Sequence, residues 1–150
     1  MSTPYIPPEA SQGEAPGGKT SIGLDANLAS MLCYLTMICC GLGIILSLVF
    51  FLIEKTNRLL RYHAMQALLY GGVWIIVGIG FKILSVLVDI ALGDAVGFFA
   101  FWGLLAVRIL VALVLLAFLI LAAIKAYQGQ YYKLPILGNI AWNIVNKQAP

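Results

Sequence analysis

From Leu28 to Ile53 the chain is apolar almost without interruption, and the pattern returns from Ala64 to Ile90 and from Phe98 to Ile124. Each run is longer than the roughly 20 residues that carry a helix across a bilayer. The spacing therefore predicts three transmembrane helices, at about 28–53, 64–90 and 98–124. Asp25 stands where the first helix needs an N-cap, and Asn57 where the second needs one. Beyond the third run, Gly129 suits a left-handed helix terminus, and Pro135 draws Leu134 into an extended conformation. Ile136, Leu137, Ile140, Ala141, Ile144 and Val145 then recur at helical spacing opposite Asn139, Asn143, Asn146 and Lys147. This amphipathic stretch is too short to span, so a helix over about 135–146 is expected to lie along the interface, with Pro135 in its first turn and Trp142 near its edge.

The first 24 residues read differently. Pro4, Pro7, Pro8 and Pro16 occur with Gly13, Gly17, Gly18 and Gly23, and almost nothing there can pack, which predicts a disordered tail ahead of a helical domain at 25–150. No basic start with a short apolar stretch marks a cleavable signal. The tail contains Gly13–Thr20, a match to the phosphate-binding pattern G-x-x-x-x-G-K-[ST]. That loop works only between a strand and a helix of an α/β domain. Neither is in prospect here, so nucleotide binding is set aside.

Composition agrees with the pattern. Hydrophobic residues make up 62% of the 150 and charged ones 10%, against about 25% charged in soluble domains. The fold class expected is an all-α membrane protein. No basic stripe interleaved with aromatics appears, which excludes a nucleic-acid partner. Cys33, Cys39 and Cys40 lie within the first run at a spacing that suits neither a metal nor a disulfide, so they read as small buried hydrophobes. No cofactor or metal is expected.

Charge placement carries more than the net +3. With three spans, the loop after the first helix and the C-terminal tail share a side. Lys55, Arg58, Arg61, Lys125, Lys133 and Lys147 all fall there, against Lys19 alone on the other. The positive-inside rule then puts the hairpin and C-terminus in the cytoplasm and the N-terminus outside, in a prokaryotic cytoplasmic membrane. Lys55, Arg58 and Arg61 oppose the dipole at a helix N-terminus, and anionic headgroups would compensate them.

Small residues bear on packing. Gly41 and Gly43, with Ser47 one turn on, allow a close helix contact or a kink, and Gly71, Gly72, Gly78 and Gly80 suggest helix packing along the second run. Gly93 and Gly97 read as turn flexibility.

The densest polar stretch, Glu54–Gln66, holds the candidate chemistry. His63, Gln66 and Tyr70 share one helix face. A lone histidine there acts as a proton relay or satisfies the start of the helix. Without a second histidine, a partner nucleophile or a metal cluster, the structural role is favoured. Lys82, Asp89 and Arg108 are charges inside apolar runs, which are costly and often functional. Lys82 or Arg108 is expected to pair with Asp89.

Glu54, Lys55, Asn57, Arg58, Arg61, Tyr62, His63, Ala64 and Gln66, followed by Ala126, Tyr127, Gly129, Tyr132, Lys133, Leu134, Pro135 and Gly138, resemble the two signatures of a family of small polytopic membrane proteins of unknown function. That family is grouped with the twenty-kilodalton membrane subunit of the chloroplast inner-envelope protein-import translocon. The resemblance covers about Leu28 to Val145 and implies a family and a fold. The function expected is non-enzymatic: a component of a membrane assembly, associating with itself or with other membrane proteins, with translocation as the role the likeness suggests. The rival is a small oligomeric transporter or channel using Lys82, Asp89, Arg108 and His63.

Overall fold

The computed structural model describes residues 17–38 and 42–147, with backbone alone at 92–95. It contains four helical elements: α1 (Ala26–Ile38), α2 (Leu42–Ile53), α3 (Arg58–Tyr127) and α4 (Leu137–Lys147). Asp25 caps α1, its Oδ1 accepting from the backbone N–H groups of Asn27 and Leu28 at 2.8 and 3.2 Å. Asn57 caps α3 through its side-chain oxygen, which accepts from Leu60 N–H at 3.1 Å. Gly129 ends α3 with φ +69°, its N–H donating to Ala126 O and that of Gln130 to Lys125 O. This is the Schellman arrangement that satisfies the last carbonyls of a helix.

The first apolar run does not form one spanning helix. It is divided between α1 and α2, of 13 and 12 residues, each about 20 Å long and too short to cross a bilayer alone. The two are antiparallel. Ser21, just before α1, donates to Glu54, just after α2. Near the other end, a β-carbon at Gly43 would lie 2.4 Å from Met37 N. Glycine at 43 is therefore what lets the helices meet.

The long element α3 also folds back on itself. Tyr70 donates from its hydroxyl to Leu115 O, although 45 residues of straight helix would separate them by about 68 Å. A β-carbon at Gly97 would lie 3.4 Å from Asp89 Oδ1. Its two arms, Arg58–Ala91 and Val96–Tyr127, are long and apolar enough to cross a membrane. They contain the second and third predicted spans. The described helices are thus two long apolar arms and a short helical hairpin, where the sequence pattern predicts three single long helices.

α4 packs on α3, and its direction departs from the sequence expectation. Leu134 meets Gln66, Trp142 stacks edge-on to Tyr62 with ring centroids 5.8 Å apart, and Arg58 donates to Asn146. The chain after α3 runs inward beside the first arm, turns at Pro135–Ile136 and returns as α4. Gly138, Ala141 and Val145 are buried in this contact, so the helix is docked rather than laid apart on the interface. The helix itself starts at Leu137, two residues after Pro135.

Residues 17–24, expected as the end of a disordered tail, fold over the ends of α1 and α3. A β-carbon at Gly17, where φ is +116°, would collide with Asn27 Oδ1 and press on Leu59. Thr20 is buried and exchanges hydrogen bonds with Leu24. Residues 1–16 lie outside the described part, as do Cys39, Cys40 and Gly41.

The core sits at the end of the molecule where α1, α2, α4 and both arms meet. Ala29, Cys33, Tyr34, Leu60, Ala64, Ala67, Leu119, Ala122, Ala126 and Leu134 are buried together. Elsewhere the arms present Ile75, Ile76, Ile79, Leu87, Ile90, Phe98 and Phe99 outwards, all more than half exposed. Such surface belongs in lipid.

Candidate functional site

Two hydrogen-bonded networks occupy that end of the molecule. The first surrounds Glu54, whose side chain is 2% exposed. Its Oε2 accepts from Ser21 N–H and Oγ at 2.7 and 3.0 Å. Its Oε1 accepts from Thr56 N–H and Oγ1 at 2.9 and 2.6 Å and from Asn57 N–H at 2.8 Å. Burial pushes the carboxyl pKa up, but the Thr56 hydroxyl and the backbone N–H groups of Asn57, Ser21 and Thr56 outweigh it and hold the pKa at about 2. Asn57 completes the knot by donating from Nδ2 to Gly17 O.

The second network joins the two motifs. His63 is fully buried between Tyr34 of α1 and the segment after α3, with Tyr34 Oη 3.0 Å from Nδ1 and Gln130 O 3.0 Å from Nε2. A backbone carbonyl can only accept, so Nε2 carries the proton and Nδ1 accepts from the Tyr34 hydroxyl. Gln66 is also fully buried. With its amide oriented so that both ends find partners, Nε2 donates to Tyr132 O at 3.1 Å and Tyr62 Oη at 2.9 Å, while Oε1 accepts from Leu134 N–H at 2.9 Å. Tyr62 Oη donates to Tyr132 O at 3.2 Å.

His63 and Gln66 thus replace the missing partners of a non-helical strand of backbone, Gln130–Leu134, buried against a helix. Unpaired, those groups would be costly in an apolar setting. The arrangement is a clasp: R-Y-H-A-x-Q grips the backbone of G-x-x-Y-K-L-P. Tyr62 and Tyr131 each pack edge to face with Trp142 beside it and are tilted to one another, and Lys133 lies over the Trp142 ring with Nζ 4.9 Å from its centroid. Arg61 lies over the Phe51 ring at 5.4 Å.

The structure brings together Glu54, Asn57, Arg58, Arg61, His63, Gln66, Tyr132 and Leu134, with Pro135 at the turn beyond them. It does not bring together Lys82, Asp89 and Arg108, which are exposed along the arms. No hydrogen bond or ion pair joins those three among the described residues. Gly72, Gly78 and Gly80 face open space, and of the expected packing glycines on the first arm Gly71 alone meets α2, at Ile44.

Three contributors escaped the sequence reading: Tyr34, Thr56 and Ser21. Tyr34 carried a signal, being a hydroxyl in the middle of an apolar run. Thr56 and Ser21 carried none beyond their nearness to Glu54 and Asp25. Of the Gly13–Thr20 pattern, Gly17–Thr20 lies within the described residues. Gly18 O accepts from Ala26 N–H and Thr20 N–H donates to Leu24 O, so Gly17–Thr20 is a strap over α1 rather than a phosphate cradle.

Seven of the nine basic residues now fall at one end, Lys82 and Arg108 on the arms being the others. Ser21 beside Glu54 brings Lys19 to the end that carries Lys55, Arg58, Arg61, Lys125, Lys133 and Lys147, so the N-terminal strap and the C-terminus are at the same end, not opposite ones as three spans require.

Comparison with known proteins gives this architecture a family. Three archaeal proteins described as UPF0132 membrane proteins are similar over most of their lengths. One, of Methanocaldococcus jannaschii, is 34% identical over 125 residues, covering 83% of this chain and 92% of the relative. Another, of Archaeoglobus fulgidus, is 33% identical over 116 residues, covering 77% and 90%. A second Methanocaldococcus jannaschii protein is 29% identical over 121 residues, covering 81% and 71%. The descriptions of these three do not support the grouping with the plastid import subunit, and no solved structure matches. Residues 25–142, from the α1 cap to Trp142 beside the clasp, match one family model, and the chain belongs to the magnetosome magnetite crystal formation protein family of membrane proteins.

Proposed function

We propose that the protein is a non-enzymatic component of a membrane assembly, held in a prokaryotic cytoplasmic membrane with the clasp end in the cytoplasm. The observation that carries this reading is the use of the motif side chains. Glu54, Asn57, His63 and Gln66 turn their polar atoms to neighbouring segments of the same chain, so these four hold the fold together rather than facing a cavity as a catalytic set. What faces outward is basic at one end and apolar along the arms, the chemistry of a body that binds anionic headgroups and other helices.

The gathering of Lys19 with the other basic residues supports the cytoplasmic orientation. The family description concerns magnetite crystal formation in magnetosomes, whereas the archaeal relatives are described simply as membrane proteins; a membrane-assembly role is compatible with both. The translocation role draws no support from these relatives. The transporter reading rests on Lys82, Asp89, Arg108 and His63; the three charges do not converge, and both ring nitrogens of His63 are engaged within the clasp.

The deciding experiment is purification of the tagged chain in mild detergent with mass spectrometry of what accompanies it, alongside flux in proteoliposomes. A stable homo- or hetero-complex without flux is the expected result. Ion or solute flux lost on replacing Lys82, Asp89 and Arg108 would overturn the proposal in favour of transport.

A further inference from the structure

The helices are unequal in length, and the short ones all lie at one end. The described parts of α1 and α2 reach to the level of Gly71–Ile75: a β-carbon at Gly71 would lie 2.7 Å from Ile44 Cγ1 and 3.1 Å from Met37 Cε, and Ile38 and Ile44 line a cavity with Trp74 and Ile75. The segment leading into α4 reaches the same depth, since Leu134 to Leu137 share a cavity of about 290 Å³ with Tyr70 and Val73. Past Ile75 the first arm continues to Ala91, roughly another 24 Å, about the thickness of one leaflet with its headgroups. Over that distance the described molecule is two helices wide, whereas at the clasp end it is five.

Leu28, Leu35, Ile45, Leu48 and Leu52 on α1 and α2 are exposed, so the wide end is apolar on its outside as well. It sits in the hydrocarbon of one leaflet, not in water above it. The body is therefore a wedge whose broad end fills one leaflet and whose narrow end crosses the other.

We infer that the protein recognises membrane curvature, favouring bilayers in which the clasp-side leaflet is convex. A convex leaflet has more area per lipid at its headgroups than its partner, and a broad insertion there relieves stress that it would create in a flat or concave leaflet. Differential affinity of this kind is all that a shift between flat and curved bilayers requires. The device needs no protein partner, so it stands apart from the assembly role proposed above.

The test uses the purified full-length chain reconstituted into phosphatidylcholine–phosphatidylglycerol vesicles of about 30 nm and about 200 nm diameter, sizes chosen because curvature-sensitive insertion separates them. Protease access to a C-terminal tag reads the orientation. The ratio of clasp-outward to clasp-inward molecules should be at least about threefold higher in the small vesicles. An equal ratio at both sizes overturns the inference. So does a size dependence that vanishes in pure phosphatidylcholine, because attraction of the basic end to anionic lipid would then be the cause. A variant with seven leucines and alanines added to each of α1 and α2, so that the hairpin crosses both leaflets, should lose the size dependence; its persistence would also overturn the inference. If that variant fails to fold, the two wild-type comparisons still decide.

Discussion

The Tyr34 hydroxyl donates to His63 Nδ1 across 3.0 Å, a bond between residues 29 positions apart that ties the α1–α2 hairpin to the first arm of α3. Because His63 Nε2 is engaged by Gln130 O, the one ring anchors three segments at once. Replacing Tyr34 by phenylalanine keeps the ring packing and leaves Nδ1 as a buried acceptor without its donor. The expected cost is about 1–3 kcal/mol, read as a lower unfolding temperature in detergent. A double-mutant cycle with His63→Phe should show coupling of about 1 kcal/mol; additive effects would mean that the bond does not hold the hairpin.

Much of this architecture was legible in advance, and what escaped has a physical reason. Caps at Asp25, Asn57 and Gly129 are local chemistry, written in the residues that perform it. The two arms are long apolar runs, for which hydrophobicity is a sufficient sign. The first run misled because 26 apolar residues satisfy the length of a span, and hydropathy is blind to a reversal inside lipid. Its signals were Gly41 and Gly43 within the run and the polar residues Ser21 and Glu54 outside its ends, each needing a partner that only a hairpin supplies. In the clasp, His63 and Gln66 were identifiable as a pair on one face, but their partners are main-chain groups, which a sequence does not distinguish from any others.

Glu54 makes acid stability a measurable property of the N-terminal strap. Its carboxyl has an ordinary pKa of 4.5 and is held at about 2 in the folded chain. A depressed folded value means that the unfolded chain takes up the proton first as pH falls. The stabilisation is complete above about pH 4.5 and is lost as pH drops through about 2. Glu54→Gln should lower stability at neutral pH by about 2–3 kcal/mol, since hydrogen bonds to a charged acceptor are the strong ones. It should also flatten the loss between those two pH values. An acid limb identical to wild type in detergent unfolding would show that other groups govern it.

Two glycines make a controlled pair. A β-carbon at Gly43 would meet the Met37 backbone at 2.4 Å, whereas Gly78 has nothing within 4 Å. Gly43→Ala should force α1 and α2 apart at a cost of about 1–3 kcal/mol. Gly78→Ala should be neutral or slightly stabilising, because alanine is the better helix former by about 1 kcal/mol. Equal melting temperatures for the two variants would deny that Gly43 is the closing point of the hairpin.

Ile136 has φ +65° and is 76% exposed, a conformation in which a β-branched residue is disfavoured. It is the pivot at which the chain turns from Pro135 into α4. Ile136→Gly should remove about 1 kcal/mol of backbone strain and raise the melting temperature in detergent, because most of the side chain is exposed and little packing is lost with it. A fall instead would show that the isoleucine side chain contributes more than its backbone costs.

The sharpest separation between a three-span chain and the present architecture is the side on which the two ends emerge. Three spans put the N- and C-termini on opposite faces. Here α1 enters from the end where Ser21 meets Glu54, α2 returns to it, and the arms cross and come back, so the strap and α4 lie together beside Arg58 and Asn57. The basic residues favour the same geometry, since moving Lys19 across the bilayer would separate it from the others and weaken the orienting bias. Reporters fused at Met1 and Pro150 should therefore both be active in the cytoplasm, and one inserted after Gly97 should report the opposite side. Opposite signals at Met1 and Pro150 would restore the single first span and take the α1–α2 hairpin out of the membrane-inserted form.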